Sequence, residues 1–337
     1  MIQKPLALSL GDPAGVGPEI VVKAWTALRA SGPPFVVIGD FDVLASASGA
    51  GKAILRRVNR SADAAAAFAE ALPVIDLKLQ TRVVAGQSDP AHAGAIIRWI
   101  ETGVGLALSG EVSGLVTAPI AKAPLYAAGF KFPGHTEFLA ELAPPTPYHG
   151  AKGPVMMLTA GDLRTALITI HRPLSAVSGD LSQQKIVDVG LVTALALQRD
   201  FGIAAPRLAM AALNPHAGED GGLGREEIDI LRPAAARLRG MGVDCSNPKP
   251  ADSLFHPAAR AGYDAVLCMY HDQALIPVKM LDFWAGVNVT LGLPIVRTSP
   301  DHGTAFDIAG RGLARADSLI AAIRLAGDIA ERRWGAV

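Results

Sequence analysis

The sequence has few cysteines, no excess of either charge and no long apolar run. Only two of its 337 residues are cysteines, Cys245 and Cys268, and they lie in no metal-binding or redox motif, which argues against a disulfide-stabilised secreted protein. Positive and negative side chains number 31 each, without a basic cluster that would follow a phosphate backbone. The apolar stretch at residues 186–197 contains Asp188 and is shorter than the roughly 20 residues that cross a bilayer. We therefore expect no nucleic-acid partner, no membrane span and a cytoplasmic location.

The composition and the pattern of apolar residues predict an α/β protein. Hydrophobic residues make up 50% of the chain and charged residues 18%, a surplus that a buried subunit interface would explain. Short apolar runs, such as residues 6–10, 35–38 and 265–268, resemble strands buried on both faces. They alternate with helical patterns, such as residues 183–200 and 316–332, which indicates a mainly parallel or mixed sheet. The length favours two lobes around a cleft.

Three of the eight histidines occupy the same topological position. His171, His216 and His271 each follow an apolar run by a few residues. In open α/β sheets, ligands collect at the loops that follow the carboxyl ends of strands. Three imidazoles brought together there hold a divalent cation and leave one coordination position open. One such histidine alone is more typical of a loop hydrogen bond, but the coincidence of three favours a metal site.

Two further segments have the chemistry of anion binding. Residues 134–137 read Gly-His-Thr-Glu at a predicted helix start, where backbone N–H groups bind phosphate or carboxylate. Taken alone, Thr136 and Glu137 favour an ordinary helix cap. The segment 270–297 contains Lys279, Asn288 and Arg297. Lysine and arginine bind acidic substrates, and asparagine adds a neutral hydrogen bond. Isolated residues of these types would be solvated, but the strand-like run beside them favours a pocket.

Residues 11–20 imitate a dinucleotide-binding fingerprint. The glycine-rich segment follows a predicted strand and opens a helix with Pro18, and Asp40 ends the next predicted strand. The third glycine of the fingerprint, which permits tight packing of helix on strand, is missing. We therefore predict the loop but reject the Rossmann assignment. A cofactor is expected instead at residues 301–312, a loop with several glycines before the last helix.

Seven stretches, in order along essentially the whole chain, resemble the 4-hydroxythreonine-4-phosphate dehydrogenase family. They are residues 11–19, 134–138, 169–174, 213–219, 250–255, 269–273 and 286–312. The resemblance implies an α/β fold of two α/β/α lobes with a central cleft, like that of isocitrate and isopropylmalate dehydrogenases. It also implies a homodimer with the active site at the subunit interface. We place the first lobe, on the cofactor side, at residues 1–125 plus 295–337, and the second, with the metal, substrate and dimer contacts, at residues 126–294.

The resemblance also implies roles for individual residues. His171, His216 and His271 would bind one divalent cation, zinc, magnesium, manganese or cobalt, with ligands shared across the dimer interface. The positions that match substrate contacts are His135, Thr136, Lys279, Asn288 and Arg297. Asp252 and Asp272 also match such positions, and with Lys279 they are the catalytic candidates by chemical type. NAD or NADP is expected at Gly303, Thr304, Asp307 and Gly310.

The implied reaction is oxidation and decarboxylation of 4-phosphohydroxy-L-threonine to 3-amino-2-oxopropyl phosphate in pyridoxal phosphate biosynthesis. A related catabolic dehydrogenase, acting on 4-phospho-D-threonate or erythronate or on a carboxylated cyclohexadiene diol, is one alternative. A non-catalytic phosphometabolite-binding protein is another, although the three histidines and the basic residues occur together. The sequence leaves open the native metal, the choice between NAD and NADP, and the general base.

Overall fold

The chain folds into two compact α/β units. The computed structural model describes residues 4–47, 53–132, 135–143, 151 and 153–335. The first unit comprises residues 1–144 and 294–337, and the second comprises residues 145–293. The α/β class expected from the sequence is confirmed. Residues 126–144 group with the first unit and not with the second, because the helix His135–Leu142 packs on the helix Ala93–Leu108.

Six parallel strands form the sheet in the described part of the first unit. They are β1 (Leu6–Ser9), β2 (Phe35–Gly39), β3 (Leu55–Arg57), β4 (Leu72–Asp76), β5 (Leu115–Thr117) and β12 (Arg297–Pro300). Their order is β3-β4-β2-β1-β5-β12. Every residue of β1, β2, β5 and β12 is buried, as expected for strands that are covered on both faces. The chain leaves β1 towards β2 on one side, whereas β5 lies on the other, and this reversal is where open α/β sheets bind ligands.

Helices connect these strands. They are α1 (Gly17–Leu28), α2 (Phe41–Ala47), α3 (Ala64–Ala67), α4 (Ala93–Leu108), α5 (Lys122–Ala127), α6 (His135–Leu142) and α13 (Asp317–Trp334), with 3₁₀ turns at Ser61–Asp63 and Pro90–His92. Two buried tryptophans fix α1 and α4. Trp25 donates to the carbonyl of Phe68 at 2.8 Å, and Trp99 donates to that of Leu77 at 2.9 Å. Burial therefore leaves neither indole N–H without an acceptor.

The second unit has a mixed sheet. Its described strands are β6 (Val155–Ala160), β7 (Leu163–Leu167), β8 (Arg207–Ala211), β9 (Asp244–Lys249), β10 (Ala265–Cys268) and β11 (Val287–Leu291). Their order is β11-β6-β7-β10-β8-β9. β6 is antiparallel to both of its neighbours, whereas β7, β10, β8 and β9 are parallel. The carboxyl ends of these four strands consequently lie at one edge.

The helices of the second unit cover this sheet. They are α7 (Leu174–Asp180), α8 (Gln183–Phe201), α9 (Arg232–Gly240), α10 (Ala251–Leu254), α11 (Pro257–Arg260) and α12 (His271–Leu281), and a π-helical turn at Glu227–Leu231 leads into α9. The Ser182 hydroxyl caps α8 by accepting from the N–H of Lys185, and Gly202 ends it with a left-handed φ of 69°. No described helix of either unit has the length and apolar character of a membrane span.

Asp40 is a structural residue. Its buried carboxylate accepts hydrogen bonds from the backbone N–H groups of Asp42 at 2.8 Å, Val43 at 3.0 Å and Leu79 at 2.8 Å. The first two cap α2, and the third ties the start of α2 to the segment that follows β4. Asp40 therefore serves the fold.

Candidate active site

Three histidine-bearing loops leave one edge of the second sheet side by side. His171 follows β7, His271 follows β10 and His216 follows β8. These three strands are parallel neighbours in the order β7-β10-β8. Gln273 joins two of the strand ends, because its side chain accepts from the N–H of Met269 and donates to the carbonyl of Ala212, both at 2.6 Å. The fold therefore places all three histidines after the carboxyl ends of strands, as the sequence predicts.

Two of these histidines lie close together. The ring centroids of His171 and His271 are 5.8 Å apart. Nδ1 of His271 lies 2.6 Å from Oδ1 of Asp272, and the neutral tautomer that carries its proton on Nδ1 donates to this carboxylate and offers the Nε2 lone pair to a ligand. Metal-binding imidazoles are oriented in this way, by a carboxylate that accepts a hydrogen bond from the ring nitrogen that does not bind the metal. The His271 side chain is 34% exposed, which leaves it accessible to a ligand.

His216 begins a run of left-handed backbone. The φ angle is 52° at His216, 54° at Ala217, 81° at Gly218, 44° at Glu219 and 48° at Asp220. A left-handed conformation costs residues other than glycine roughly 1–2 kcal/mol each. Four such residues within a run of five require compensating contacts, and strain of this kind is concentrated at functional sites.

The buried carboxylate of Glu227 supplies that compensation. One oxygen accepts from the backbone N–H groups of Leu213 at 2.9 Å and Asn214 at 2.8 Å, and the other accepts from the Asn214 side chain at 3.0 Å. A Cβ atom on Gly218 would lie 2.7 Å from this second oxygen, so only glycine fits there. Glu227 is fully buried, and its hydrogen bonds to Leu213 and Asn214 hold the start of the turn that carries His216.

One chain does not complete a three-ligand metal site within its described residues. No three His, Cys, Asp or Glu side chains in that part of the chain lie together as ligands of one ion. β10 separates β7 from β8, so the loop of His216 starts two strand spacings, roughly 10 Å, from that of His171. His216 is also exposed. The structure thus brings His171 close to His271, and the metal site of three histidines stays a prediction.

Other predicted substrate residues of the second unit lie on separate elements. Asp252 is exposed on α10, directly after β9. Lys279 lies near the end of α12, with its Nζ 5.1 Å from the ring centroid of Phe283. Asn288 lies on β11, and its buried Oδ1 accepts no hydrogen bond from the residues that the structure describes. A buried amide oxygen in that state is suited to a ligand donor.

Arg297 is a buried cation of the first unit. It lies on β12 with 2% of its surface exposed and donates to the hydroxyl of Thr117 at 2.7 Å. Burial lowers its pKa to about 10, so the guanidinium remains charged at neutral pH. A buried charge is costly unless an anion or several hydrogen bonds compensate it. Such a residue fits the recognition of an acidic group. His135 and Thr136 are also predicted to contact the substrate, but their side chains lie outside the described part of the chain.

The predicted cofactor loop is seated on the N-terminal glycine loop. The carbonyl of Thr304 accepts from the N–H of Val16 at 2.9 Å, and a Cβ atom on Gly15 would lie 2.9 Å from the same oxygen. On its far side, a Cβ atom on Gly310 would lie 2.8 Å from the side chain of Ala85. Glycines at these positions allow the backbones to approach closely. Gly303 and Asp307 are exposed on the same loop.

A cavity of about 860 Å³ opens beside this loop, at the carboxyl ends of β1, β2 and β4. Its wall includes Pro13, Gly15, Asp40, Arg82, Gly310 and Arg311. The size suits a small-molecule site. Sequence reasoning did not find Arg82 or Arg311, because an isolated arginine in a loop carries no pattern. It also missed Glu227, whose only signal was an acidic residue at the start of a predicted helix.

Comparisons with known proteins give one consistent result. The family model described as "Pyridoxal phosphate biosynthetic protein PdxA" matches residues 31–326. A protein of Caulobacter vibrioides named 4-hydroxythreonine-4-phosphate dehydrogenase is 68% identical, over 99% of each chain. The solved structure of 4-hydroxythreonine-4-phosphate dehydrogenase from Klebsiella pneumoniae aligns with a TM-score of 0.84 at 39% identity, covering 97% of this chain and 100% of that one.

A second activity also occurs on a similar fold. The solved structure of a terephthalate 1,2-cis-dihydrodiol dehydrogenase from Burkholderia xenovorans aligns with a TM-score of 0.63 at 30% identity. The alignment covers 96% of this chain and 97% of that one. The likeness is therefore full-length but weaker, in both sequence and structure, than the likeness to the protein from Klebsiella pneumoniae.

Replacement of Glu227 with alanine should release the turn that carries His216. Three hydrogen bonds to a buried carboxylate are lost, so we expect the free energy of unfolding to fall by about 3 kcal/mol or more. Amide hydrogen exchange at Leu213 and Asn214 should accelerate in the folded protein. Glu101→Ala, at an exposed position on α4, is the control and should change neither quantity. Unaltered exchange at Leu213 and Asn214 in Glu227→Ala would contradict the assigned role.

Proposed function

Because this chain belongs to the family of the pyridoxal phosphate biosynthetic protein PdxA, we propose that it oxidises and decarboxylates 4-phosphohydroxy-L-threonine. The products are 3-amino-2-oxopropyl phosphate, carbon dioxide and reduced NAD or NADP. The observation that carries this proposal is the 68% identity, over 99% of each chain, to a relative named for that activity. The protein is an oxidoreductase, and the proposed pathway is pyridoxal phosphate biosynthesis.

The alternatives have less support. A diol substrate is favoured only by the dehydrogenase from Burkholderia xenovorans, which is 30% identical to this chain. A catabolic role on 4-phospho-D-threonate or erythronate has no separate observation in its favour and is an outcome of the assay below. A binding protein without activity would not need a carboxylate that orients a metal-binding imidazole, as Asp272 orients His271.

We propose that His171, His216 and His271 hold one divalent cation, zinc, magnesium, manganese or cobalt, with the site completed at the subunit interface. The proximity of His171 to His271 and the carboxylate on Nδ1 of His271 support this assignment. When bound, the cation would lower the pKa of the substrate hydroxyl and polarise the ketone that forms from it.

The protein side chains supply binding and charge. NAD or NADP held at Gly303, Thr304, Asp307 and Gly310 would accept hydride from the substrate carbon, and the resulting 3-oxo acid would lose carbon dioxide. The Lys279 ammonium stabilises the negative charge that develops at this second step. The guanidinium of Arg297 and the amide of Asn288 bind polar groups of the substrate. Asp252 and Asp272 are the carboxylates available to take the hydroxyl proton, and Asp272 already accepts a hydrogen bond from His271.

The second unit exposes an apolar surface that suits a homodimer. Ile276 and Met280 lie one turn apart on α12 and are 62% and 81% exposed, and Phe283 and Trp284 follow at 60% and 50%. Monomeric proteins rarely expose so many large apolar side chains together. This surface, residues 276–284, continues from the helix that His271 begins. We therefore propose that a second copy of the chain covers it and that the active site lies at this interface.

The proposed location is the cytoplasm. Cys245 and Cys268 are buried free thiols, and burial raises the pKa of Cys245 to about 12. Buried thiols with raised pKa values are inert, and because neither forms a disulfide, the described fold does not depend on an oxidising compartment. The proposed biosynthetic substrate is also a small intracellular metabolite.

An assay of cofactor reduction tests the proposed reaction directly. The purified protein with an added divalent cation should reduce NAD or NADP when 4-phosphohydroxy-L-threonine is supplied, and release carbon dioxide in equal amount. 4-Phospho-D-threonate, assayed in parallel, should be a poor substrate. The reverse preference would assign the catabolic role, and no reduction with either compound would contradict the proposal.

Replacement of His216 with alanine tests the third metal ligand. We expect turnover to be lost and the affinity for cobalt or zinc, measured by equilibrium dialysis, to fall at least tenfold, because one coordinate bond is removed. The circular dichroism spectrum should stay unchanged, since His216 is exposed. His256→Ala is the control, because His256 only caps α11. Full activity in His216→Ala, or in metal-stripped protein, would remove the cation from the mechanism.

Replacement of Met280 with aspartate tests the interface. A charge in the covered surface should convert the dimer to a monomer, measured by light scattering after size-exclusion chromatography, and lower the activity. Met241→Asp is the matched control. Met241 is 48% exposed but precedes β9, at the opposite edge of the sheet from the histidine loops. An unchanged mass in Met280→Asp, or an equal change in both variants, would contradict the proposed interface.

A further inference from the structure

A chain of buried hydrogen bonds crosses the ends of β7, β10 and β8. The hydroxyl of Thr169 donates to the carbonyl of Met269 at 2.7 Å. The N–H of Met269 donates to Oε1 of Gln273, and Nε2 of Gln273 donates to the carbonyl of Ala212, both at 2.6 Å. All four residues are buried. Two side chains therefore link the three strand ends in addition to the pairing of the strands themselves.

Gln273 lies where the pairing of β10 with β8 stops. The last paired residues are Leu267 and Met210, and the same register would place Met269 opposite Ala212. The side-chain amide spans the gap between these two residues, with its oxygen on the N–H and its nitrogen on the carbonyl. Only this orientation of the amide satisfies both backbone groups. Gln273 thus fixes how far the two chains separate beyond their strands.

Thr169 has the corresponding role between β7 and β10. Its N–H continues the strand pairing by donating to the carbonyl of Met269 at 3.3 Å, and its hydroxyl adds the shorter bond to the same carbonyl. Both polar groups of the Met269 peptide segment are consequently held from two sides. In a buried, low-dielectric setting, connected hydrogen bonds strengthen one another, and the loss of one leaves a costly unpaired group.

The chain of bonds runs beside all three proposed metal ligands. Thr169 precedes His171 by two residues, and Gln273 follows His271 by two. The segment that leads from β8 to His216 begins at the carbonyl that Gln273 binds. Displacement at either side chain is therefore passed to a histidine through only a few residues of backbone.

We propose that Thr169 and Gln273 are positioning residues whose buried hydrogen bonds set the spacing of the three histidine loops and thereby the affinity of the metal site. The consequence for the metal rests on the proposed function, whereas the spacing of the loops depends only on the bonds. Both side chains act through the backbone, because their polar atoms are used on Met269 and Ala212.

Replacement of Thr169 with valine tests the first link. The variant keeps the branched shape and loses the hydroxyl, so the affinity for cobalt, measured by equilibrium dialysis, should fall about threefold to tenfold. Thr169→Ser keeps the hydroxyl and should restore most of the affinity. Thr165→Val is the matched control and should bind cobalt normally. Thr165 is equally buried on the same strand, but its hydroxyl has no hydrogen-bond partner among the described residues.

Replacement of Gln273 with methionine tests the second link. Methionine has a similar length but makes neither hydrogen bond, so cobalt affinity should again fall. The effect should be smaller in a His216→Ala background, because the loop after β8 then carries no ligand. Thr169→Val should keep its full effect in that background, since it acts on the loop of His171. Such a double-mutant cycle identifies the ligand through which each residue acts. The Thr169 variants decide the question if Gln273→Met does not fold.

A purely structural role predicts different outcomes. Unchanged cobalt affinity in Thr169→Val and Gln273→Met, with a lower free energy of unfolding, would overturn the inference, as would equal effects of Thr169→Val and Thr165→Val. If the unaltered protein binds no cobalt, the proposed metal site is refuted and amide hydrogen exchange in the metal-free protein decides about the loops. Faster exchange at Leu213 and Asn214 in Gln273→Met than in Thr165→Val would support the positioning role, and equal exchange would refute it.

Discussion

Parallel strand pairing is the constraint on which both units depend. Parallel neighbours place their carboxyl ends at one edge, so the loops that follow them must lie side by side. In the second unit this brings together the loops of His171, His271 and His216. In the first unit it assembles the cavity from the ends of β1, β2 and β4. The buried apolar strands therefore provide the framework, and the polar residues just beyond them provide the chemistry.

The loops differ in how they are held. His271 starts a helix directly, and the neighbouring Asp272 orients its ring. His216 instead lies in a left-handed turn whose backbone cost must be offset elsewhere, and the buried carboxylate of Glu227 offsets it. This turn is a short 3₁₀ segment, Pro215–Gly221, whose backbone is mostly left-handed. A single side chain is consequently decisive for the position of a proposed metal ligand.

Two buried carboxylates beside the cavity of the first unit are already used in hydrogen bonds within the fold. Glu19 and Asp40 use their carboxylates on backbone N–H groups, and Arg82 and Arg311 add positive charge to the wall of the same cavity. Arg297 is a cation buried within the sheet, at a cost that an acidic ligand would reduce. An overall formal charge of zero conceals this local asymmetry.

The sequence by itself determined the α/β class, most strands and long helices, and the position of three histidines after strands, because apolar periodicity is a local property. It also placed the candidate cofactor loop before α13. Only the tertiary structure decided that β10 lies between β7 and β8, that Glu227 reaches back to Leu213 and Asn214, and that Arg82 and Arg311 line one cavity. It also showed the acid after β2 to be a helix cap. These features depend on strand order and packing between distant segments, which no local pattern encodes.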